Sequence, residues 1–228
     1  MSSEYATGTT CIHNSSVRKP QIISIEGNIG AGKTTVIHKI EKFLEETNNT
    51  RIRVLKEPVD IWSFIKDENN ESILEKFYKD PKTYAFSFQI LAFMTRLSEI
   101  KKMVQTYPDC EVILCERSLE ADKNIFAKMM YDDGLIDLIS HQIYLTMSEN
   151  MRTDFPLSKV FYLDIPVETC ADRIKIRNRE GEENISVSYL EKCMKYHTDW
   201  LFGSDLNYEV VKCTDEKVIV DFIKTVCK

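Results

Sequence analysis

Residues 22–35 read Ile22-Ile23-Ser24-Ile25-Glu26-Gly27-Asn28-Ile29-Gly30-Ala31-Gly32-Lys33-Thr34-Thr35. An apolar, β-branched segment runs into Gly27-x-x-x-x-Gly32-Lys33-Thr34 and then into a stretch of helical character. Strand, glycine-rich loop and helix in that order are what a phosphate-binding P-loop requires. The glycines let successive backbone N–H groups curl around a phosphate chain. Lys33 supplies a positive charge, and the Thr34 hydroxyl stands at a helix N-terminus, placed to ligate magnesium. A nucleoside triphosphate is therefore the first ligand to expect.

Outward from this loop, 228 residues suffice for one sizeable α/β domain with a core that needs no covalent staples. One domain over 21–228 is expected, behind a Ser- and Thr-rich disordered tail over 1–20. A net charge of −6 and a pI near 5.4 argue against general nucleic-acid binding, so the charge that meets an anion must be local. The seven cysteines (Cys11, Cys110, Cys115, Cys170, Cys193, Cys213, Cys227) are odd in number and hold no C-x-x-C pair. They suggest neither a disulfide framework nor a zinc site, and read as reduced thiols. Apolar runs are too short for a membrane span, and the first 20 residues lack the apolar centre of a secretory signal. Arg18 and Lys19 are the only basic residues of that segment, which also carries Glu4, so a cytoplasmic location is favoured over a mitochondrial one.

Short β-type runs alternate with helical patterns, which predicts a parallel sheet. Strands are expected near Gln21 to Glu26, Ile52 to Glu57, Glu111 to Glu116, Lys159 to Leu163 and Tyr208 to Lys212. Helices are expected from Lys33 to about Asn48, from Ile61 to Tyr78 with a break at Asp67 to Asn70, and from Pro81 to Thr106. Further helices fit Leu119 to Met130, Leu135 to Arg152, Pro166 to Arg179, Val187 to Leu201 and Glu216 to Val226. The fold class expected is α/β, a P-loop NTPase-type five-stranded parallel sheet flanked by helices. In such sheets ligands sit beyond the carboxyl ends of the strands, which directs attention to polar residues there.

Two strands run into a carboxylate, in Val54-Leu55-Lys56-Glu57-Pro58-Val59 and Val112-Ile113-Leu114-Cys115-Glu116-Arg117-Ser118. Glu116 stands where a P-loop NTPase holds its magnesium, which leaves Glu57 to accept a proton from a hydroxyl nucleophile. Either glutamate alone would read as a solvated strand end; the pair beside a P-loop reads otherwise. On the helix beginning at Pro81, Gln89, Ala92, Phe93 and Arg96 share one face by their i, i+3, i+4, i+7 spacing, among Phe86, Phe88 and Leu97. A buried amide or guanidinium without a partner costs about 1 to 3 kcal/mol or more. A bound heterocycle would offset that cost, as would an internal pair of Arg96 with Asp122, and the two readings are compatible. Arg173, Lys175, Arg177 and Arg179 crowd a helix C-terminus ahead of Glu180, Gly181, Glu182 and Glu183. Basic residues favour that end of any helix, and arginines there also serve as clamps on phosphates carried by a lid.

Together, the P-loop, the Glu57-Pro58-Val59 to Trp62 segment, Phe77-Tyr78-Lys79-Asp80-Pro81, Phe88-Gln89, Glu116-Arg117-Ser118 and the arginine-rich segment resemble the deoxyribonucleoside kinase family. The match extends from about Ile22 to Cys213 and is closest to the deoxycytidine, deoxyguanosine and deoxyadenosine kinase-like branch. The resemblance implies magnesium-dependent phosphoryl transfer from ATP or another nucleoside triphosphate to the 5′-hydroxyl of a deoxyribonucleoside, in nucleotide salvage. It casts Glu57 as general base, Arg117 as the arginine that steadies it, and Thr34 and Glu116 as the magnesium side. Lys33, Arg177 and Arg179 would meet the transferring phosphoryl group, with Gly27 to Thr35 cradling the donor and Arg173 near its base. Tyr78 and Glu182 would hold the sugar 3′-hydroxyl, Gln89 would read the nucleobase edge, and Trp62, Phe88, Ala92 and Phe126 would pack around it. Arg96 and Asp122 imply deoxycytidine and purine deoxynucleosides over thymidine, because a carboxylate accepts from an exocyclic amine and thymine offers O4 instead.

Gly181 interrupts the acidic run, so the choice of Glu182 over Glu183 rests on an ungapped alignment to Val187-Ser188-Tyr189-Leu190. Lys123 follows Asp122 where relatives often carry arginine. The resemblance also implies a homodimer, built on the Pro81 helix and the Leu119 to Met130 helix, and feedback inhibition by a deoxynucleoside triphosphate. The rival reading is a nucleoside monophosphate kinase of thymidylate-kinase type, which needs no carboxylate base beside the attacking oxygen. No guanine-reading Asn-Lys-x-Asp segment occurs.

Overall fold

The structure is a computed structural model and describes residues 19–179, 181–203 and 206–226. Most of the expected tail, Glu180, Cys11, Cys227 and the Glu183 side chain lie outside them.

Five parallel strands form one sheet in the order β2-β3-β1-β4-β5: β1 Gln21–Gly27, β2 Ile52–Leu55, β3 Val112–Glu116, β4 Leu157–Leu163 and β5 Glu209–Cys213. Both faces are covered, which is why the strands read as apolar runs rather than alternating ones. Ile23 and Ile25 of β1, with Leu114, Phe161 and Leu163, pack against α1 (Lys33–Glu46), α8 (Val167–Arg177) and α10 (Lys217–Val226). Ile22, Ile113, Cys115, Val160 and Tyr162 face the other way, against α4 (Pro81–Thr106), Tyr144 of α7 (Leu138–Arg152) and Trp200 of α9 (Val187–Phe202). A third apolar cluster joins Trp62 of α2 (Val59–Phe64), Leu74 and Phe77 of α3 (Ile73–Lys79), Phe88 and Ala92 of α4, and Met129. That cluster lies off the sheet and shapes the site.

Local chemistry sets the helix starts. Ser72 and Glu75 form a reciprocal capping box on α3, and Asp80 caps α4 with Pro81 in its first turn. Asp137 caps α7, so that helix begins at Leu138 rather than at the expected Leu135. Helix α1 ends before Asn48, whose φ of 50° is left-handed.

Several expectations need correction. Strand β2 ends at Leu55, which leaves Lys56 and Glu57 in the connection to α2. The expected Leu119 to Met130 helix is a single turn, α5 (Leu119–Ala121), then a π-helical segment over Asp122–Ala127, then α6 (Lys128–Asp132). Its Leu119, Ala121, Ile125, Ala127, Met129 and Met130 are buried within the chain. Helix α8 stops at Arg177 because Asn178 turns left-handed at φ 47°. The five described cysteines, Cys110, Cys115, Cys170, Cys193 and Cys213, are free and buried. No described helix is long and apolar enough to cross a membrane.

Candidate active site

The carboxyl end of β1 opens into the P-loop, whose Gly30 and Gly32 have φ of +80° and +101°. A Cβ on Gly30 would stand 2.4 Å from the Cys170 carbonyl oxygen, so the loop lies directly on α8. Asn28 Nδ2 donates to the Leu190 carbonyl at 2.8 Å, and Asn28 Oδ1 accepts the Ile29 N–H at 2.9 Å, tying the loop to α9. Lys33 Nζ donates to the carbonyls of Gly27 and Asn28 at 3.2 and 2.9 Å. Burial, with Arg117 adding to it, lowers the Lys33 ammonium to about 8. Thr34 Oγ1 donates a 2.6 Å hydrogen bond to Glu116 Oε1, which joins the start of α1 to the end of β3.

Glu57 sits between two arginines. Its Oε1 is 3.3 Å from Arg96 Nη2 and 3.2 Å from Arg117 Nε. Burial acts to raise its carboxyl, but the charges of Arg117, Arg96 and Lys33 outweigh that and hold it below the ordinary carboxylate range. Arg96 is 1 % exposed, and it donates from Nε to Asp122 Oδ2 at 3.0 Å and from Nη1 to the Glu116 carbonyl at 2.7 Å. The π-helical segment carries Asp122 and Phe126 inward here; such segments add a residue to a turn and are frequent at functional sites. Arg117 has a left-handed backbone, φ 66°, held by its N–H bond to the Ile25 carbonyl at 3.1 Å. A non-glycine residue held in that region costs about 1 to 3 kcal/mol, a cost that surrounding structure must offset. Its guanidinium lies 4.8 Å above the centre of the Phe126 ring.

A cavity of about 600 Å³ opens above these groups and takes in Ile29, Gly30 and Gly32 to Thr35 of the P-loop. Its apolar end is walled by Trp62, Phe88, Ala92 and Phe126, with Gln89 among them. Trp62 meets Phe88 edge to face at 5.2 Å and is fixed by donating Nε1–H to Thr95 Oγ1 at 3.0 Å. Tyr78 meets Tyr189 edge to face at 6.5 Å. Burial and then the nearby Glu182 charge raise the Tyr78 hydroxyl above its ordinary value.

The arginine-rich segment closes the remaining side. Arg177 binds both oxygens of Glu182, at 2.8 and 2.7 Å from Nη2, and Arg179 Nη1 reaches Glu182 Oε1 at 3.2 Å. Gly181, φ +86°, rests on Glu75 at the start of α3. Arg173 Nη1 donates to the Ala31 carbonyl at 2.9 Å, so this arginine braces the P-loop itself.

All the expected residues outside the P-loop border this one cavity. Within the loop, Gly27, Asn28 and Ala31 do not line it; they serve as carbonyl acceptors and anchors. Sequence reasoning missed Phe77 and Tyr189, which line the cavity, and Glu26, which is buried beside Arg117. The pairing of Phe77 with Phe88, stacked at 4.8 Å, was signalled only by its neighbour Tyr78. Among the described residues no group of three or more His, Cys, Asp or Glu side chains could hold a metal.

The model of the deoxynucleoside kinase family matches residues 23–227. The chain is 30% identical over 203 residues to human (Homo sapiens) deoxycytidine kinase, covering 81% of this chain and 76% of that protein. It is 32% identical over 202 residues to deoxycytidine kinase 1 of Xenopus laevis, covering 80% and 74% of the two chains. Deoxycytidine kinase 2 of Gallus gallus matches at 27% over 217 residues, 87% of this chain and 80% of that one. With the family model running across the P-loop, the Glu57 pocket and the arginine-rich segment, the chain belongs to the deoxynucleoside kinase family.

Proposed function

We propose that this kinase transfers the γ-phosphoryl group of ATP, or another nucleoside triphosphate, to the 5′-hydroxyl of deoxycytidine and purine deoxynucleosides in preference to thymidine. The observation that carries the reading is Glu57, ionised between Arg96 and Arg117 on the floor of the cavity that the P-loop enters.

The 5′-hydroxyl oxygen attacks the γ-phosphorus while its proton passes to Glu57, and the bond to the nucleoside diphosphate leaving group breaks. Arg117 orients the base and faces the reacting oxygens. Lys33 exchanges its two carbonyl partners for phosphate oxygens, and Arg177 and Arg179 meet the charge on the transferring group. Thr34 and Glu116 offer two hard oxygen ligands side by side, a donor set that would suit magnesium. A magnesium ion held by Thr34 and Glu116 would supply positive charge to offset that of the donor phosphates. Tyr78 and Glu182 hold the 3′-hydroxyl, Gln89 reads the base edge, and Asp122, oriented by Arg96, accepts from an exocyclic amine. Thymine has no such amine.

The monophosphate-kinase reading is not favoured, because it leaves Glu57 beside the acceptor without a role. Initial rates with ATP, magnesium and each of deoxycytidine, deoxyadenosine, deoxyguanosine, thymidine, deoxycytidylate and thymidylate test the proposal. Phosphorylation of the amino-bearing nucleosides, with a 5′-monophosphate identified by phosphorus NMR, is the expected result. Phosphorylation of the monophosphates alone would overturn it.

A homodimer and feedback inhibition by a deoxynucleoside triphosphate belong to the same proposal. The exposed Met94 on α4 and Leu138, Ile139 and Ile143 on α7 support a dimer face there. Sedimentation at micromolar concentration tests the first, and titration of each triphosphate against initial rate the second.

A further inference from the structure

Glu26 lies at the end of β1 against Arg117, which pairs with the proposed base, yet no step described above uses it. The side chain is 0 % exposed. Ser118 Oγ donates a 2.6 Å hydrogen bond to its Oε1, whereas Oε2 has no hydrogen-bond partner among the described residues. Arg117 Nη1 faces that oxygen at 4.0 Å and is likewise buried without a hydrogen-bond partner there. Opposed buried polar atoms left in this way are rare in folded proteins, because each has given up water. Packing gives no reason for a carboxylate next to Ile25 in a strand buried from Ile22 onward.

The charges around Glu57 supply one. Arg117 reaches Glu57 through Nε at 3.2 Å and Glu26 through Nη1 at 4.0 Å. Arg96 reaches Glu57 through Nη2 at 3.3 Å and Asp122 through Nε at 3.0 Å. Each arginine beside the base therefore has a second, more deeply buried carboxylate behind it. We infer that Glu26 is a positioning residue, anchoring Arg117 from behind as Asp122 anchors Arg96, so that Arg117 keeps its place when Glu57 takes the 5′-hydroxyl proton. At that moment the charge that held Arg117 forward disappears. The arginine then depends on Glu26 to stay aligned with the reacting oxygens. Burial raises the Glu26 carboxyl, and the Arg117 charge, the Ser118 hydrogen bond and the Arg96 charge oppose this; Lys33, Glu120, Cys115 and Tyr208 also face it, while Glu57 faces Arg117, Arg96, Lys33, Asp122 and Tyr78.

This inference rests on the proposed reading of Glu57 as base, and Glu57→Gln in the same assay separates the two. The test variants are Glu26→Gln, which removes the charge at constant volume, and Glu26→Asp, which keeps the charge and withdraws it by one methylene. For Glu26→Gln we expect kcat to fall between about 10- and 100-fold with deoxycytidine affinity, measured by calorimetry, changed less than about twofold. The acid limb of kcat should move to lower pH, because a negative charge that opposes ionisation of Glu57 has been removed. Glu26→Asp should recover part of kcat and leave the acid limb at its parent position. A folded Glu26→Gln enzyme with parent kcat and parent acid limb would overturn the inference, whatever its Tm. If Glu26→Gln does not fold, Glu26→Asp decides: a fall in kcat at parent affinity supports the role, and parent kcat rejects it. An active Glu57→Gln enzyme would instead bring down the base assignment and this inference with it.

Discussion

Arg96 Nε and Asp122 Oδ2 lie 3.0 Å apart in a pair whose side chains are 2 % and 3 % exposed. Burial raises the Asp122 carboxyl and the Arg96 charge opposes this, so each group depends on the other. Removing one partner leaves the other charge stranded: Asp122→Ala should cost about 3 to 5 kcal/mol of stability, read by denaturant unfolding. The Arg96→Met, Asp122→Ala double variant should cost less than the sum of the single changes. It should also shift the ratio of kcat/KM for thymidine over deoxycytidine upward. An unchanged ratio would separate the pair from base selection.

Gly30 and Gly134 both have positive φ, +80° and +69°, but a Cβ at Gly30 would meet the Cys170 carbonyl at 2.4 Å while one at Gly134 meets nothing within 4 Å. Gly134→Ala should therefore cost only the left-handed strain, about 1 to 2 kcal/mol, with kcat/KM retained. Gly30→Ala must push the P-loop off α8, the helix that carries Arg173 and Arg177, and should lower kcat/KM for ATP by at least about 10-fold. Thermal melts and initial rates of the two variants check the contrast.

His197 is fully buried, with Nδ1 2.6 Å from the Cys193 carbonyl oxygen, and burial, aided by Arg117, lowers it to about 3. The unfolded chain binds a proton there near pH 6.5 and the native protein does not. Stability from this group is thus complete above pH 6.5 and declines as pH falls toward about 3, at about 1.4 kcal/mol per pH unit. Parent and His197→Asn should keep a constant stability difference above that pH. Below it the parent should lose ground steadily; parallel curves would show that the imidazole titrates normally.

The sheet and the P-loop were legible because β-branched runs, the glycine spacing and Lys33 each point to one local answer. The capped starts at Ser72 and Asp80 were equally plain. Glu57 was found by residue type and neighbourhood while its strand was drawn two residues too long, since Lys56 and Glu57 continue an extended pattern that hydrogen bonding does not. The π-helical segment at Asp122–Ala127 has no periodicity that distinguishes it from an α-helix, so its effect on Asp122 and Phe126 shows only in the folded chain. Tyr189 enters the cavity from α9, far along the chain, and Glu26 is hidden in a strand buried on both faces; neither contact is local in sequence.

The proposed role of Glu57 as an ionised base is tested most directly by comparing parent and Glu57→Gln with deoxycytidine, ATP and magnesium, as kcat and as deoxycytidine Kd. The carboxyl is held below its ordinary value of about 4.3, so the parent should show no loss of rate from this group between pH 8 and about pH 5. Glu57→Gln should bind deoxycytidine within about 10-fold of the parent and lose at least about 100-fold in kcat, the effect of removing a positioned general base. A Glu57→Gln enzyme within a few-fold of parent kcat would contradict the account.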